Sequence, residues 1–117
     1  MKTAIVTGAS GNLGQAVIQK FIQEGYKVTG TVIPNDNVAV NFPVDKFEKV
    51  VVDLGDEEAS EKFVAGVISK HNVIDTAVLT VGGFVMGKMA DTSSADILKQ
   101  YKLNFETAYH VARPVFA

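Results

Sequence analysis

Three glycines spaced three residues apart lie near the start of the chain, at positions 8, 11 and 14. The β-branched run before them predicts a strand, and the apolar spacing after them predicts a helix. Glycines at such a junction let the backbone turn tightly and approach a phosphate, while the helix N-terminus offers unpaired N–H groups and the positive end of its dipole. The junction therefore predicts a dinucleotide-phosphate site, with a purely conformational glycine turn as the alternative. The segment reads Thr7, Gly8, Ala9, Ser10, Gly11, Asn12, Leu13, Gly14.

The elements that would position this turn alternate between strand and helix. The third strand is almost entirely apolar, which is typical of a parallel sheet covered on both faces. The alternation predicts an α/β fold with a Rossmann-like doubly wound parallel sheet that ends after about four strands and a long last helix. Strands are predicted at residues 2–7, 27–33, 50–52 and 75–81, and helices at 13–24, 56–70 and from 93 onward.

Apolar residues in the predicted helices indicate which surfaces are buried. In the first helix, Leu13, Val17 and Phe21 share one face. The last helix is apolar nearly all round between Leu103 and Phe116, so more than one of its faces must be covered. A sheet on one side and a second subunit on the other would cover them, and an open edge at the fourth strand would also invite self-association. The sequence therefore predicts a homodimer or a larger assembly.

Length and composition limit the classes of function. The 117 residues fit one domain, but a dinucleotide fold usually needs more strands, which predicts that residues 1–117 are the N-terminal part of a longer chain. A net charge of −2, with lysines interleaved among acids, argues against nucleic acid as a partner. The absence of cysteine, and the wide sequence separation of His71 and His110, predict no metal site. No apolar run approaches the roughly 20 residues of a membrane helix, so a soluble cytoplasmic protein is expected.

The glycine pattern resembles the cofactor loop of the short-chain dehydrogenase/reductase family, and three later matches follow in the family's order. Asp53-Leu54 follows the third strand, Gly82-Gly83 ends the fourth, and Leu103-Asn104 lies in the last helix. The resemblance covers the whole chain and implies an NAD or NADP cofactor and a small-molecule substrate. It also implies a set of cofactor-binding residues: Gly8, Ser10, Gly11, Asn12, Leu13 and Gly14 in the loop, Asp53 and Leu54 at the adenine, and Gly82 and Gly83 beside the ribose.

The resemblance implies one catalytic residue, Asn104, which would kink the last helix and hold a water in a proton relay. Each match also has a simpler interpretation. Asp53 could be a helix-entry residue near Asp56, because acidic residues are favoured at helix starts. Asn104 could be an ordinary polar position, although asparagine is a poor helix former. Gly82 and Gly83 could only end a strand.

Several residues depart from the family's pattern. The spacing to Gly11 is similar to that of extended members, which act on nucleotide sugars, whereas the commonest members have a glycine at the position of Asn12. Val32-Ile33-Pro34, at the end of the second strand, offers neither an acid for the ribose of NAD nor a base for the 2′-phosphate of NADP. The cofactor preference is therefore left open between NAD and NADP.

The proton-transfer residues of the family have no counterpart in this sequence. The family uses a tyrosine followed by a lysine one helical turn later, together with a serine. Here Tyr101 and Tyr109 are followed four positions later by Phe105 and Arg113, and Tyr26 by a glycine. The sequence therefore predicts a fragment of an NAD(P)-dependent oxidoreductase that is inactive by itself. The alternatives are a non-enzymatic dinucleotide-binding or regulatory module and a relative of nucleotide-sugar epimerases.

Overall fold

Strands and helices alternate along the chain, as the apolar spacing predicts. The computed structural model describes residues 1–82 and 93–116. In chain order the elements are β1 (Thr3–Thr7), α1 (Asn12–Gln23), β2 (Lys27–Val32), β3 (Phe47–Val51), α2 (Glu57–His71), β4 (Thr76–Leu79), α3 (Ser94–Tyr101), a π-helical turn (Lys102–Glu106) and α4 (Thr107–Phe116).

The four strands form one parallel sheet in the order β3-β2-β1-β4. All five residues of β1 are buried, because β1 lies between two other strands and both of its faces are covered. Successive side chains of β1 point to opposite faces, so Val6 packs in the cluster with Ile18 of α1, whereas Ile5 packs with Val64 of α2 and Val111 of α4. Helices on both faces confirm the predicted doubly wound α/β fold.

The packed face of α1 differs from the predicted one. Gly14 and Ile18 are buried, and Val17 and Phe21 pack at the edge of the same cluster. Leu13, which was expected to share the face of Val17 and Phe21, is 66% exposed. The prediction for Leu13 is wrong because the first turn of α1 lies at the carboxyl ends of the strands, beside the cavity described below, and not over the sheet.

The third strand begins earlier than predicted and is less covered. β3 starts at Phe47 and ends at Val51, and only Phe47 is buried. Within the described residues β3 pairs with β2 alone, so it is an edge strand, and Glu48 and Val51 are exposed. The prediction of a strand covered on both faces is therefore wrong for β3. The first half of β3 was not predicted because residues 48 and 49 are polar and interrupt the apolar run. A strand with one solvated face need not be continuously apolar.

The second helix follows its predicted bounds closely. Asp56 caps α2 by accepting a hydrogen bond from the Ala59 N–H at 3.2 Å. Phe63, Val64 and Val67 are buried against the sheet, as their spacing predicts. The acids that follow the cap, at positions 57 and 58, lie at the positive end of the helix dipole, where negative charge is favourable.

The last helix begins with a capping box and contains an irregular turn. Ser93 accepts a hydrogen bond from the Asp96 N–H, and the Asp96 carboxylate accepts one from the Ser93 N–H at 2.8 Å, so each satisfies an otherwise unpaired group of the other. Five residues of π-helix then separate α3 from α4. No helix in the ranges 1–82 and 93–116 is long and apolar enough to cross a membrane.

One face of this last helix carries exposed aromatic rings. Phe105 is stacked between Tyr101 and Tyr109, with ring centroids 5.2 and 6.0 Å apart, and each of the three side chains is about half exposed. The opposite face of α4 buries His110 and Val111. The arrangement fits the predicted apolar surface on more than one side of the helix, and the homodimer or larger assembly stays a prediction.

Candidate functional site

A cavity of about 840 Å³ lies at the carboxyl ends of the strands, between the turns that follow β1, β2, β3 and β4. Chain crossovers run from β1 towards β2 and β3, and then reverse to reach β4 on the other side of β1. In open α/β sheets, ligands bind outside the strand ends at such a reversal. The cavity is lined by every predicted cofactor residue that the structure describes: Gly8, Ser10, Gly11, Asn12, Leu13, Gly14, Asp53, Leu54 and Gly82.

The glycine loop is held by two backbone contacts. The Gly11 N–H donates to the Gly8 carbonyl at 3.1 Å, which closes the turn, and the Ala9 N–H donates to the Thr31 carbonyl of β2 at 2.9 Å. Gly8 has a φ of +71°, a backbone conformation that residues with a Cβ rarely adopt. A Cβ at Gly14 would lie 2.0 Å from the Gly8 carbonyl oxygen, so the start of α1 sits directly on the loop.

Among the described residues, α1, α2 and α3 are the helices that do not continue from a preceding helix, and of these only α1 has an uncapped N-terminus. Gly11, its N-cap residue, has no side chain to accept a backbone hydrogen bond, and the first turn contains no acidic residue. In contrast, Asp56 caps α2 and Ser93 caps α3, and both of those first turns carry acids. The unpaired N–H groups and the positive end of the α1 dipole therefore remain available at the cavity wall.

Asp53 and Leu54 line the cavity in the turn between β3 and α2. The Asp53 carboxylate accepts a hydrogen bond from the Gly55 N–H at 3.0 Å, and Asp56, not Asp53, caps α2. Asp53 therefore stabilises the turn that enters α2, and its predicted role at the adenine stays a prediction beside the alternative of a helix-entry residue. Leu54 is 5% exposed and gives the cavity an apolar wall.

A buried histidine fixes the position of Leu54. Nδ1 of His110, on α4, lies 2.8 Å from the Leu54 carbonyl oxygen, and because a carbonyl only accepts, this nitrogen carries the proton. His110 is 7% exposed. The sequence gives His110 no role. Its partner lies 56 residues away, and no local pattern indicates a contact between one side chain and one backbone oxygen.

Replacing His110 with alanine is expected to lower the free energy of unfolding by about 1–2 kcal/mol, because the buried Leu54 carbonyl loses its donor. Urea unfolding monitored by circular dichroism measures the change. His110→Gln keeps an N–H donor and should recover part of the loss. His71→Ala, at the opposite end of α2 from this contact, is the control. An unfolding free energy that is equal in the His110→Ala variant and the parent would contradict the role given to this contact.

Residues after β4 approach both the glycine loop and the last helix. The Thr80 N–H donates to the Thr7 hydroxyl at 3.1 Å, and the Thr80 hydroxyl donates back to the Thr7 carbonyl at 2.5 Å, which joins the ends of β1 and β4. Gly82 lies close to Asn104, since a Cβ on Gly82 would be 2.9 Å from Asn104 Oδ1. Gly83, the other glycine of this pair, lies outside the described residues.

Asn104 occupies the middle of the π-helical turn. Its Nδ2 donates to the carbonyl oxygen and to the side-chain oxygen of Gln100, each at 3.1 Å. The irregular turn at this position agrees with the kink that the family resemblance implies. Asn104 is not among the residues that line the cavity, so a catalytic role for it stays a prediction.

Two groups of cavity residues were missed by the sequence interpretation. Asp36 reaches the cavity from the turn after β2, where it accepts a hydrogen bond from the Ser10 hydroxyl at 2.5 Å. Lys99 and Lys102 line the cavity from α3 and the π-helical turn. A signal for Asp36 existed, because an acid beyond the second strand is a ribose-binding residue in dinucleotide folds. The lysines are surface residues of an amphipathic helix and carry no comparable signal.

Comparison with known proteins agrees with this geometry. The family model described as short chain dehydrogenase matches residues 2–117. Serine 3-dehydrogenase from Rhizobium radiobacter is 37% identical over 82 residues, which cover 68% of this chain and 33% of that protein. The cyclic-di-GMP-binding biofilm dispersal mediator protein of Escherichia coli (strain K12) is 26% identical over 112 residues, which cover 95% of this chain and 46% of that protein. The chain thus spans less than half the length of either relative.

The fold also matches solved structures. A dehydrogenase/reductase from Sinorhizobium meliloti 1021 superposes with a TM-score of 0.89 at 24% identity, over 98% of this chain and 48% of that chain. This likeness concerns the fold alone. The match to the family model runs through every element described above, from β1 to α4. The chain therefore belongs to the short-chain dehydrogenase family.

Proposed function

We infer that this chain binds NAD(H) or NADP(H) in the cavity at the strand ends and forms the dinucleotide-binding part of an oxidoreductase. The observation that carries this inference is the open N-terminus of α1. Its first turn has neither a cap nor an acid and faces the cavity beside the glycine loop. A pyrophosphate would satisfy these N–H groups and interact favourably with the helix dipole.

The residues present fit such a group. The close contact between Gly14 and the Gly8 carbonyl leaves no room for a side chain at position 14, so backbone forms this part of the cavity wall. The loop from Gly8 to Gly14 would hold the pyrophosphate through N–H groups. Val52 and Leu54 are buried apolar side chains that line the cavity and suit the face of an adenine ring.

The other predicted site residues are assigned to the remaining parts of the cofactor. Asp53 would accept a hydrogen bond from the adenine amino group, and Gly82 and Gly83 would leave room for a ribose. Asn104 would hold a water near the reacting end. When bound, the nicotinamide of such a cofactor supplies or accepts a hydride, and the substrate would be a small carbonyl compound or alcohol. The relative named serine 3-dehydrogenase supports a small hydroxyl-bearing substrate.

A glutamate at Leu13 tests the pyrophosphate site without disturbing the core. Leu13 is exposed and lines the cavity in the first turn of α1. Leu13→Glu should weaken NADH and NADPH binding at least about tenfold, because the carboxylate would repel the pyrophosphate and neutralise the helix dipole. Fluorescence titration measures the affinities. Val44→Glu adds the same charge at a residue that is 94% exposed and outside this cavity, and it should leave binding unchanged.

Unchanged binding in the Leu13→Glu variant would place the dinucleotide elsewhere, and no binding to the parent would overturn the proposed function. Thermal unfolding separates these results from a folding defect, since an acid in the first turn of a helix is expected to leave stability unchanged or slightly higher.

Turnover by residues 1–117 alone is not expected. None of the three tyrosines precedes a lysine by four positions, so the group that gives or takes the alcohol proton has no candidate here. The alternative is a binding module without catalysis. The Escherichia coli relative supports this alternative, because its name describes a cyclic-di-GMP-binding mediator and not an enzyme. A reading frame that continues into a serine and a Tyr-x-x-x-Lys sequence would favour the enzyme, and a stop codon after Ala117 would favour the module.

A further inference from the structure

A side chain of α1 reaches back to the glycine loop. Nε2 of Gln15 donates a hydrogen bond to the Ser10 carbonyl oxygen at 2.9 Å. Because only the nitrogen of the side-chain amide can donate to a carbonyl, this contact fixes the orientation of the amide. Gln15 is half-buried and is not among the residues that line the cavity. Its amide therefore holds the loop from outside the site.

The peptide group between Ser10 and Gly11 is held at both of its polar ends. Its carbonyl accepts from Gln15, and its N–H donates to the Gly8 carbonyl at 3.1 Å. The backbone N–H of Gln15 also donates to the Gly11 carbonyl at 2.9 Å, which closes the first turn of α1. Since a glycine can adopt φ values that other residues avoid, the backbone at Gly11 does little by itself to fix this peptide plane. The side chain of Gln15 supplies the missing restraint.

The start of α3 shows another way to join a helix to the chain before it. There Ser93 at the N-cap and Asp96 in the first turn bond to each other's backbone N–H groups. The same two places in α1 are Gly11 and Gly14, and a Cβ at Gly14 would collide with the loop backbone. A capping box would also occupy N–H groups that the proposed function assigns to phosphate. Gln15 bonds to a carbonyl instead, so it fixes the loop and leaves those N–H groups available.

We propose that Gln15 is a positioning residue that holds the glycine loop in the conformation that binds pyrophosphate. This role rests on the proposed function, since it presumes a phosphate at the N-terminus of α1. Without the Gln15 donor, the peptide group after Ser10 is free to rotate, and the binding conformation becomes only partly populated. Affinity falls in proportion to that population. The loss is confined to ligands that carry phosphate, because the adenine wall at Leu54 belongs to a different turn.

The test compares the parent protein with Gln15→Met, which keeps the length of the side chain and a similar helix propensity but removes the donor. NADH is titrated by fluorescence, and ADP and adenosine are titrated by NMR chemical shifts. Gln15→Met should weaken the binding of NADH and ADP about three- to tenfold, the equivalent of one hydrogen bond, and leave adenosine binding unchanged. Gln19→Met makes the same substitution one turn later at an exposed position and should keep the parent affinities.

The outcomes separate this proposal from the proposed function. An ADP affinity that is equal in the parent and in Gln15→Met overturns the role of Gln15 and leaves dinucleotide binding intact. An equal loss for adenosine and ADP also overturns it, because a general loosening of the cavity would weaken both. The same conclusion follows if Gln19→Met weakens ADP binding as much as Gln15→Met does. A parent that binds neither NADH nor ADP overturns the proposed function, and the proposal with it.

Discussion

Replacing Gly14 with alanine should destabilise the protein by about 3 kcal/mol, the upper end of what overpacking usually costs, and should abolish measurable dinucleotide binding. The new Cβ would lie 2.0 Å from the carbonyl oxygen of Gly8 and 3.2 Å from the Cα of Ala9. Both contacts are with backbone, so no side chain can rotate away to relieve them. The loop would have to move off the start of α1, and the N–H groups facing the cavity would move with it.

Gly66 provides a matched control for this substitution. It lies in the interior of α2, its side is exposed, and a Cβ there would meet nothing within 4 Å. Gly66→Ala should therefore stabilise the protein by about 0.5–1 kcal/mol through its helix propensity and leave binding unchanged. Chemical unfolding and NADH titration of both variants measure the two effects. Equal stabilities for the Gly14→Ala and Gly66→Ala variants would refute the close packing of loop and helix.

Gly30→Ala is expected to cost about 2–3 kcal/mol and to weaken dinucleotide binding, although Gly30 lies outside the cavity. A Cβ on Gly30 would lie 2.8 Å from the Cβ of Ala9 and 2.7 Å from the ring of Phe47. Ala9 belongs to the glycine loop and is anchored by its N–H to the Thr31 carbonyl of the same strand. The steric contact with the new methyl group would therefore push Ala9 away, strain its hydrogen bond to Thr31 and displace the loop.

A second substitution separates the two contacts of Gly30. Phe47→Leu removes the ring atoms nearest the new methyl group and leaves Ala9 in place. Adjacent residues of one packing cluster couple energetically, so the double variant Gly30→Ala/Phe47→Leu should be more stable than the sum of the single changes predicts. Binding should recover less than stability, because the Ala9 contact persists. Strict additivity in unfolding free energy, with normal NADH binding in Gly30→Ala, would contradict this account.

The fold could be predicted because its signals are local. The spacing of Phe63, Val64 and Val67 defines the buried face of α2, and the acid at Asp56 marks its start. The glycine loop is also local, since strand, turn and helix N-terminus follow one another directly. The start of β3 could not be predicted in the same way, because an edge strand carries a polar residue such as Glu48 without cost.

The candidate site was only partly predictable because its walls come from distant segments. Leu13 was assigned both to the packed face of α1 and to the cofactor loop, and only the direction of the first turn relative to the strand ends decides between them. Asp36 joins the cavity through a turn whose path is not encoded by any periodicity, and its partner Ser10 lies 26 residues away. The contact between His110 and the Leu54 carbonyl depends on how α4 lies across α2, which only packing determines.

The two strands that pair with β1, β2 and β4, are also synthesised at very different times. β2 pairs with β1 soon after it, whereas the contacts on the other edge, such as the Thr3 N–H to the Asp75 carboxylate, span 72 residues. Until that later segment leaves the ribosome, β1, whose five residues are all buried in the folded sheet, has an unpaired edge. Such an edge is a template for pairing with another nascent chain. The late synthesis of β4 therefore leaves the centre of the sheet open to such pairing while the chain is being made.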